Sequence, residues 1–215
     1  LLIDHRKRLW IATNNGLNLL KNDNINFKKY FSNDEDKNSL GSNVIRSLFQ
    51  DKDKNIWIGM TGGGLAKYNE KTDSFESITK SDGLASNIVL SINESNNGKI
   101  WVTTHNGLSV IDKDLSNIQN LTPLDGIGAL EFNVGNLIDN EGNLYFGSVN
   151  GITVIPNDYF YKKENRPIVY IKDMSVFNKS LINNKYVIDN EEYNLAYEDR
   201  YIKIDLASIY YTAPN

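Results

Sequence analysis

Asn55-Ile56-Trp57-Ile58-Gly59-Met60-Thr61-Gly62-Gly63-Gly64-Leu65-Ala66-Lys67-Tyr68-Asn69 reads as two short strands joined at a glycine turn. Ile56, Trp57 and Ile58 form an apolar run of β-type residues, three glycines permit the reversal, and Leu65 to Tyr68 return. The same pattern occurs at Leu9-Trp10-Ile11-Ala12-Thr13-Asn14-Asn15-Gly16-Leu17 and at Ile100-Trp101-Val102-Thr103-Thr104-His105-Asn106-Gly107-Leu108. A worn copy is Leu144-Tyr145-Phe146-Gly147-Ser148-Val149-Asn150-Gly151-Ile152.

The aromatics at the centre of these copies, Trp10, Trp57, Trp101 and Tyr145, are spaced by 47, 44 and 44 residues. A period near 40–50 with several short strands per unit points to a β-propeller. A helical solenoid would need sustained 3.6-residue periodicity, which the chain lacks. Four strands per unit are expected, at about 44–50, 55–60, 65–69 and 74–79 in the second unit and 88–93, 99–104, 108–112 and 117–121 in the third. The first unit lacks most of its innermost strand. The fourth runs from about 134 to 155, without a clear outermost strand. The fold class is therefore all-β, a partial propeller of about four blades over residues 1–157.

Composition bounds the rest. A chain of 215 residues can bury a sizeable core, and its net charge of −4 argues against non-specific binding to nucleic acid or anionic membrane. The absence of cysteine excludes disulfides, thiolate metal sites and a cysteine nucleophile. No stretch of about 18 apolar residues is present. The chain starts at Leu1 inside a strand and stops just after another, so it is read as a piece of a longer protein.

Asp51, Asp53 and Asn55 mimic the first three ligand positions of a calcium loop. Ile56 and Gly62 stand where that loop needs glycine and a bidentate glutamate, so a turn is preferred to a metal site. Asp4, Asp51 and Asp139 each lie six residues before their aromatic, as a repeated turn would place them. The tryptophans are read as packing between neighbouring blades rather than as platforms for sugar or base.

With these residues laid out, the chain resembles the two-component-regulator propeller repeat of bacterial sensor proteins. Ser42-Asn43-Val44-Ile45-Arg46-Ser47-Leu48-Phe49-Gln50-Asp51, then Ile56-Trp57-Ile58-Gly59 and Gly64-Leu65, follow its pattern. Gly83-Leu84-Ala85-Ser86-Asn87-Ile88-Val89-Leu90-Ser91-Ile92, then Ile100-Trp101-Val102-Thr103-Thr104 and Gly107-Leu108, repeat it. Glu131-Phe132-Asn133 and Leu144-Tyr145-Phe146-Gly147 resemble a closing repeat. Arg166-Pro167-Ile168-Val169-Tyr170-Ile171-Lys172 and the strand from Ile202 to Tyr211 resemble the start of the tyrosine-motif β-sandwich that follows such propellers, giving a second domain at 166–215. Little of its second sheet is present, so these strands are expected to be poorly ordered, or packed on the propeller or on another chain. Family propellers are seven-bladed, so an arc of four is expected to self-associate through open blade edges or sandwich strands, or to close as a small ring.

Function is sought on one blade end, where Asn14, Asn15, Thr61, Gly62, Gly63, Thr104, His105, Asn106 and Asn150 gather, joined by Asn43, Asn87 and Asn133. Converging amides and hydroxyls suit a neutral polyhydroxylated ligand. The structural alternative is that they cap turns, and for the three repeating asparagines that reading is preferred. His105 breaks the repeat and is the best single contact.

Catalysis has little support: no serine nucleophile motif, metal-spaced cluster or phosphate loop is present, and only Asp36, Asp82 and Asp125 are placed to act as acids. No cofactor is expected. The resemblance implies an extracytoplasmic sensor region of a membrane-anchored receptor, itself non-catalytic, with an oligosaccharide-like ligand and a histidine kinase or cyclic-dinucleotide output. Its membrane contact would come only through flanking segments. The rivals are a propeller lyase or hydrolase and a purely structural dimerisation module.

Overall fold

In the first sheet β1 (Leu2–Ile3), β2 (Leu9–Ala12), β3 (Leu17–Leu20) and β4 (Phe27–Tyr30) pair antiparallel in chain order. The second repeats this with β5 (Ile45–Gln50), β6 (Ile56–Met60), β7 (Leu65–Asn69) and β8 (Ser74–Ile78). The third uses β9 (Val89–Glu94), β10 (Ile100–Thr104), β11 (Gly107–Ile111) and β12 (Ile118–Leu121). The fourth has three strands, β13 (Phe132–Ile138), β14 (Leu144–Ser148) and β15 (Gly151–Ile155). These are up-and-down blades. The structure, a computed structural model, describes residues 1–20, 26–159, 168–176, 179–180 and 201–209.

A single rule of side-chain direction stacks the blades. Successive residues of a strand point to opposite faces. Each central aromatic therefore points forward to the next blade, while its two neighbours point back. Trp10 packs edge-on against Tyr68 at 5.0 Å, in a cluster with Ile56 and Ile58 of the second blade. Trp57 lies in a second cluster with Ile100 and Val102 of the third. Trp101 stacks on Phe146 of the fourth, with ring centroids 6.3 Å apart. All three tryptophans are fully buried. An aromatic cluster of Trp10, Tyr30, Tyr68 and Phe75 reinforces the first junction. At its rim the Asp73 carboxylate accepts from the Tyr30 and Tyr68 hydroxyls, both at 2.8 Å, and pairs with Lys28.

The chain divides into two compact units, residues 1–159 and 160–215. In the second, β16 (Ile168–Val176), β17 (Lys179–Ser180) and β18 (Ile202–Ile209) form an antiparallel sheet in the order β17-β16-β18. Val176 faces Ile202 across the ladder, and Lys203 pairs with Asp205 at 2.9 Å. Ile202 and Ile204 are exposed. The expected second sheet of a sandwich, and the order of its strands, fall outside the described residues.

Candidate functional site

The two ends of the blades are built differently. At one end, the turns between first and second strands carry a repeated device. The Asp4 carboxylate accepts from the Trp10 indole at 2.9 Å, Asp51 from the Trp57 indole at 3.0 Å, and Asp139 from the Tyr145 hydroxyl at 3.0 Å. The other carboxylate oxygen closes the turn: Oδ1 of Asp4, Asp51 and Asp139 accepts from the backbone N–H of Arg8, Asn55 and Asn143. The six-residue spacing thus joins an acidic turn to the aromatic it precedes. Asp51 holds its own turn and its tryptophan, and Asp53 pairs with Lys113, so the calcium-like triplet is a turn in which each acid has a protein partner. In the third blade Ser95 stands at this position, and its hydroxyl donates to the Lys99 carbonyl at 3.1 Å. Burial alone would raise the Asp4 carboxyl, but the Trp10 and Arg8 hydrogen bonds and the Arg8 charge hold it below the usual range. Hydrogen bonds from Asn143 and Tyr145 do the same for Asp139.

The three proposed acids are also turn residues. The Asp82 carboxylate accepts from the Thr79 N–H at 2.9 Å, and Asp125 from the Thr122 N–H at 2.8 Å. Each closes a capping box on a short 3-10 turn ended by a left-handed glycine, Gly83 or Gly126. Asp36 accepts from the Asn38 N–H at 2.9 Å. The Thr-x-x-Asp spacing was a legible signal for two of the three.

At the opposite end lie the hairpins between second and third strands and the segments leading into each new blade. Thr13 and Thr104 each donate a hydroxyl hydrogen bond to the glycine three residues on, at 2.7 and 2.9 Å, and Ser148 does so at 3.1 Å. Gly16, Gly64 and Gly107 have φ of 90°, 70° and 103°, and a Cβ on any of them would strike the carbonyl ending the fourth strand.

Backbone bonds link these hairpins to the next blade. Gly16 N–H donates to Asn43 O at 2.7 Å, Gly62 and Gly64 N–H to Asn87 O at 2.9 and 3.0 Å, and Gly107 N–H to Leu130 O at 2.7 Å. Asn43 and Asn87 also accept through their side chains, from the N–H groups of Ser32 and Lys80. Asn133 is exposed.

The nine sequence-predicted positions therefore separate. Thr104 is buried with its hydroxyl engaged, Gly63 is buried with its Cα against the Gly41 and Ser42 backbone, and the Thr61 hydroxyl accepts from Arg46 at 2.9 Å. These three are part of the frame. Gly62 is exposed and offers only backbone. Asn14, Asn15, His105, Asn106 and Asn150 are exposed at the hairpin tips of three blades. The His105 backbone is fixed by its N–H to Ile88 O at 3.2 Å, which leaves the imidazole outside the repeat's own hydrogen bonds. Among the described residues no cluster of three or more His, Asp or Glu side chains could hold a metal.

A feature that sequence reasoning missed lies at the acidic-turn end. A groove of about 450 Å³ is lined by His5, Arg8, Lys54, Lys67, Glu70 and Glu76, among others. Arg8 is committed there, to Asp4 at 2.6 Å and to Glu70 at 2.6 Å, and His5 Nδ1 meets the Gln50 side chain at 3.0 Å. Its residues come from turns and strands of the first two blades, so no local motif announces it.

Sheets of this kind, with a forward-pointing aromatic in each second strand, define β-propeller blades. Comparison with known proteins makes the assignment specific. The two-component regulator propeller family matches residues 39–62 and 83–106, the inner strands of the second and third blades. Two segments of the chain thus match two-component regulator propeller repeats.

It is 29% identical over 189 residues to histidine kinase P4 of Formosa agariphila, covering 84% of this chain and 13% of the kinase. The extracellular domain of a hybrid two-component system from B. thetaiotaomicron shares its fold, with a TM-score of 0.60 at 21% identity over 72% of this chain and 22% of that one. Virginiamycin B lyase from Staphylococcus aureus has a TM-score of 0.51 at 14% identity, over 72% of this chain and 54% of the lyase. The chain thus spans a minor part of the kinase and of the extracellular domain. Among the described residues no helix is long and apolar enough to cross a membrane.

Proposed function

We propose that these residues are a ligand-sensing part of a bacterial signal-transduction receptor and lie on its extracytoplasmic side. The observation that carries this is the repeat match within blades two and three, joined to similarity with a histidine kinase along most of the chain. The kinase or other output would belong to the rest of a longer protein, and the part described here would be non-catalytic. Its sandwich-like second unit would pass a ligand-dependent change in dimer geometry toward the membrane.

Asn14, Asn15, His105, Asn106 and Asn150 form the contact surface in this reading. Amides present donors and acceptors together, which matches the hydroxyls of an uncharged oligosaccharide. Titration of the chain with panels of neutral and acidic oligosaccharides in a calorimeter tests the ligand class. Heat of binding from neutral members supports it, and heat from acidic members alone counts against it.

The likeness to virginiamycin B lyase keeps an enzymatic reading in view, since part of the fold is shared with an enzyme. The engagement of Asp36, Asp82 and Asp125 in turns weighs against it here, because a general acid needs a carboxyl free to reach substrate.

A further inference from the structure

The tip end of the first blade holds a side chain that breaks the repeat. In blades two and three the residue after the fourth strand is a threonine, Thr79 or Thr122, which caps a short 3-10 turn. In blade one the same place, after Tyr30 at the end of β4, is taken by Phe31, which is 45% exposed. Thr79 and Thr122, each in a blade with a neighbour on both sides, are partly exposed too. The place is therefore open to solvent wherever a blade stands in the arc.

A single exposed apolar side chain is ordinary on a protein surface. Phe31 differs in how it is seated. A Cβ on Gly16 would lie 2.9 Å from two ring carbons of Phe31, so the phenyl rests directly against the hairpin glycine. The Gly16 N–H donates to the Asn43 carbonyl at 2.7 Å, and the N–H of Ser32, which follows Phe31, donates to the Asn43 side chain at 2.8 Å. One asparagine thus fixes the backbone on both sides of the contact. Beside Gly16 stand Asn14 and Asn15, both exposed, whose side-chain amides have no protein partner among the described residues. In blade three the corresponding Asn106 amide donates to the Ala85 carbonyl at 3.5 Å, so blade one offers the freer pair.

We propose that Phe31 is a stacking platform for one sugar ring of the ligand, with Asn14 and Asn15 meeting the hydroxyls at the rim of that ring. The proposal rests on the reading of the hairpin end as an oligosaccharide surface, and it assigns blade one the contact that orients a sugar ring. A pyranose carries its hydroxyls around its rim and C–H groups on its faces. Those C–H groups bear slight positive charge and are attracted to the negative face of an aromatic ring. The neighbouring amides supply donors and acceptors together for the rim hydroxyls. A phenyl already seated on a fixed backbone has little rotamer freedom left to lose on binding. The buried tryptophans cannot play this part, because their faces are spent between blades.

Two variants separate stacking from mere apolar cover. Phe31→Leu keeps an apolar side chain over Gly16 and removes the flat ring, while Phe31→Tyr keeps the ring. Parent and variants are titrated with neutral hexasaccharides of glucose, xylose and mannose, and the proton spectrum of the bound sugar is recorded. Phe31→Leu should bind the hexasaccharide that the parent binds at least tenfold more weakly and lose the upfield ring-current shift of its C–H protons. Phe31→Tyr should keep the shift and stay within about threefold of the parent. Undiminished binding by Phe31→Leu overturns the platform and leaves the oligosaccharide reading standing. Weakened binding in that variant with no upfield shift in the parent overturns it as well, since Phe31 would then only shape the hairpin. A parent that binds none of the hexasaccharides overturns the oligosaccharide reading and the platform with it.

Discussion

The two ends of the blades use similar polar residues to opposite effect. At the acidic-turn end, Asp4, Asp51 and Asp139 each hold a turn with one carboxylate oxygen and an aromatic with the other. At the hairpin end, Asn14, Asn15, His105, Asn106 and Asn150 are exposed at tips whose backbone is already tied by Thr13, Thr104 and Ser148, with the Asn106 amide also donating to the Ala85 carbonyl at 3.5 Å. The acidic-turn carboxylates are drawn inward to satisfy the frame. At the hairpin tips even residues that recur with the period, Asn15, Asn106 and Asn150 before their glycines, are exposed, and His105 breaks the repeat. Burial and hydrogen bonding therefore separate scaffold from candidate site, and recurrence does not.

The largest way to break the comparison is to empty the frame. Trp57→Ala removes a fully buried indole from the junction of blades two and three and should cost about 3–5 kcal/mol, read by denaturant unfolding. A loss under about 1 kcal/mol would mean that the forward-pointing aromatic does not hold the blades together.

Acid should act on the turn end next. Asp4 and Asp73 are each held below the ordinary value of 3.8, with burial opposing and hydrogen-bonded partners prevailing. A carboxyl whose folded pKa is depressed adds stability above its unfolded pKa and loses it as pH falls through the folded one. Stability should therefore drop below about pH 4, and Asp4→Asn should flatten part of that drop. An unchanged acid profile in that variant would show that the Asp4 charge does not matter to the turn.

A smaller effect sharpens the account in the stabilising direction. Lys7 and Lys54 have φ of 61° and 73°, at the turn position that Gly98 and Gly142 fill in the third and fourth blades. Left-handed backbone is strained for lysine and free for glycine. Lys54→Gly should gain about 0.5 kcal/mol in thermal melting, after the entropy that glycine loses on folding is subtracted.

The architecture was readable because it is written four times. The aromatic spacing, the glycine turns and the strand pattern agreed, and the observed strands of the second and third blades begin and end within one residue of expectation. What the sequence concealed was where polar side chains turn. The six-residue spacing of Asp and aromatic marked a turn but not the indole bond, because strand twist brings that N–H back over the turn. The same limit kept Thr104 and Gly63 among ligand contacts, since their burial comes from the neighbouring strand and blade rather than from the hairpin itself. Asp82 and Asp125 were legible as caps, their threonine lying three residues before them.

The most direct test sets one residue from each end side by side. Asp51→Ala and His105→Ala are compared for thermal stability and for binding to the neutral oligosaccharide panel in the calorimeter. The account predicts that Asp51→Ala, which strands the Trp57 and Asn55 donors, costs about 2–3 kcal/mol, while His105→Ala stays within about 0.5 kcal/mol of the parent and loses binding at least tenfold. Equal stability in the two variants, or undiminished binding by His105→Ala, would contradict the division of frame from site.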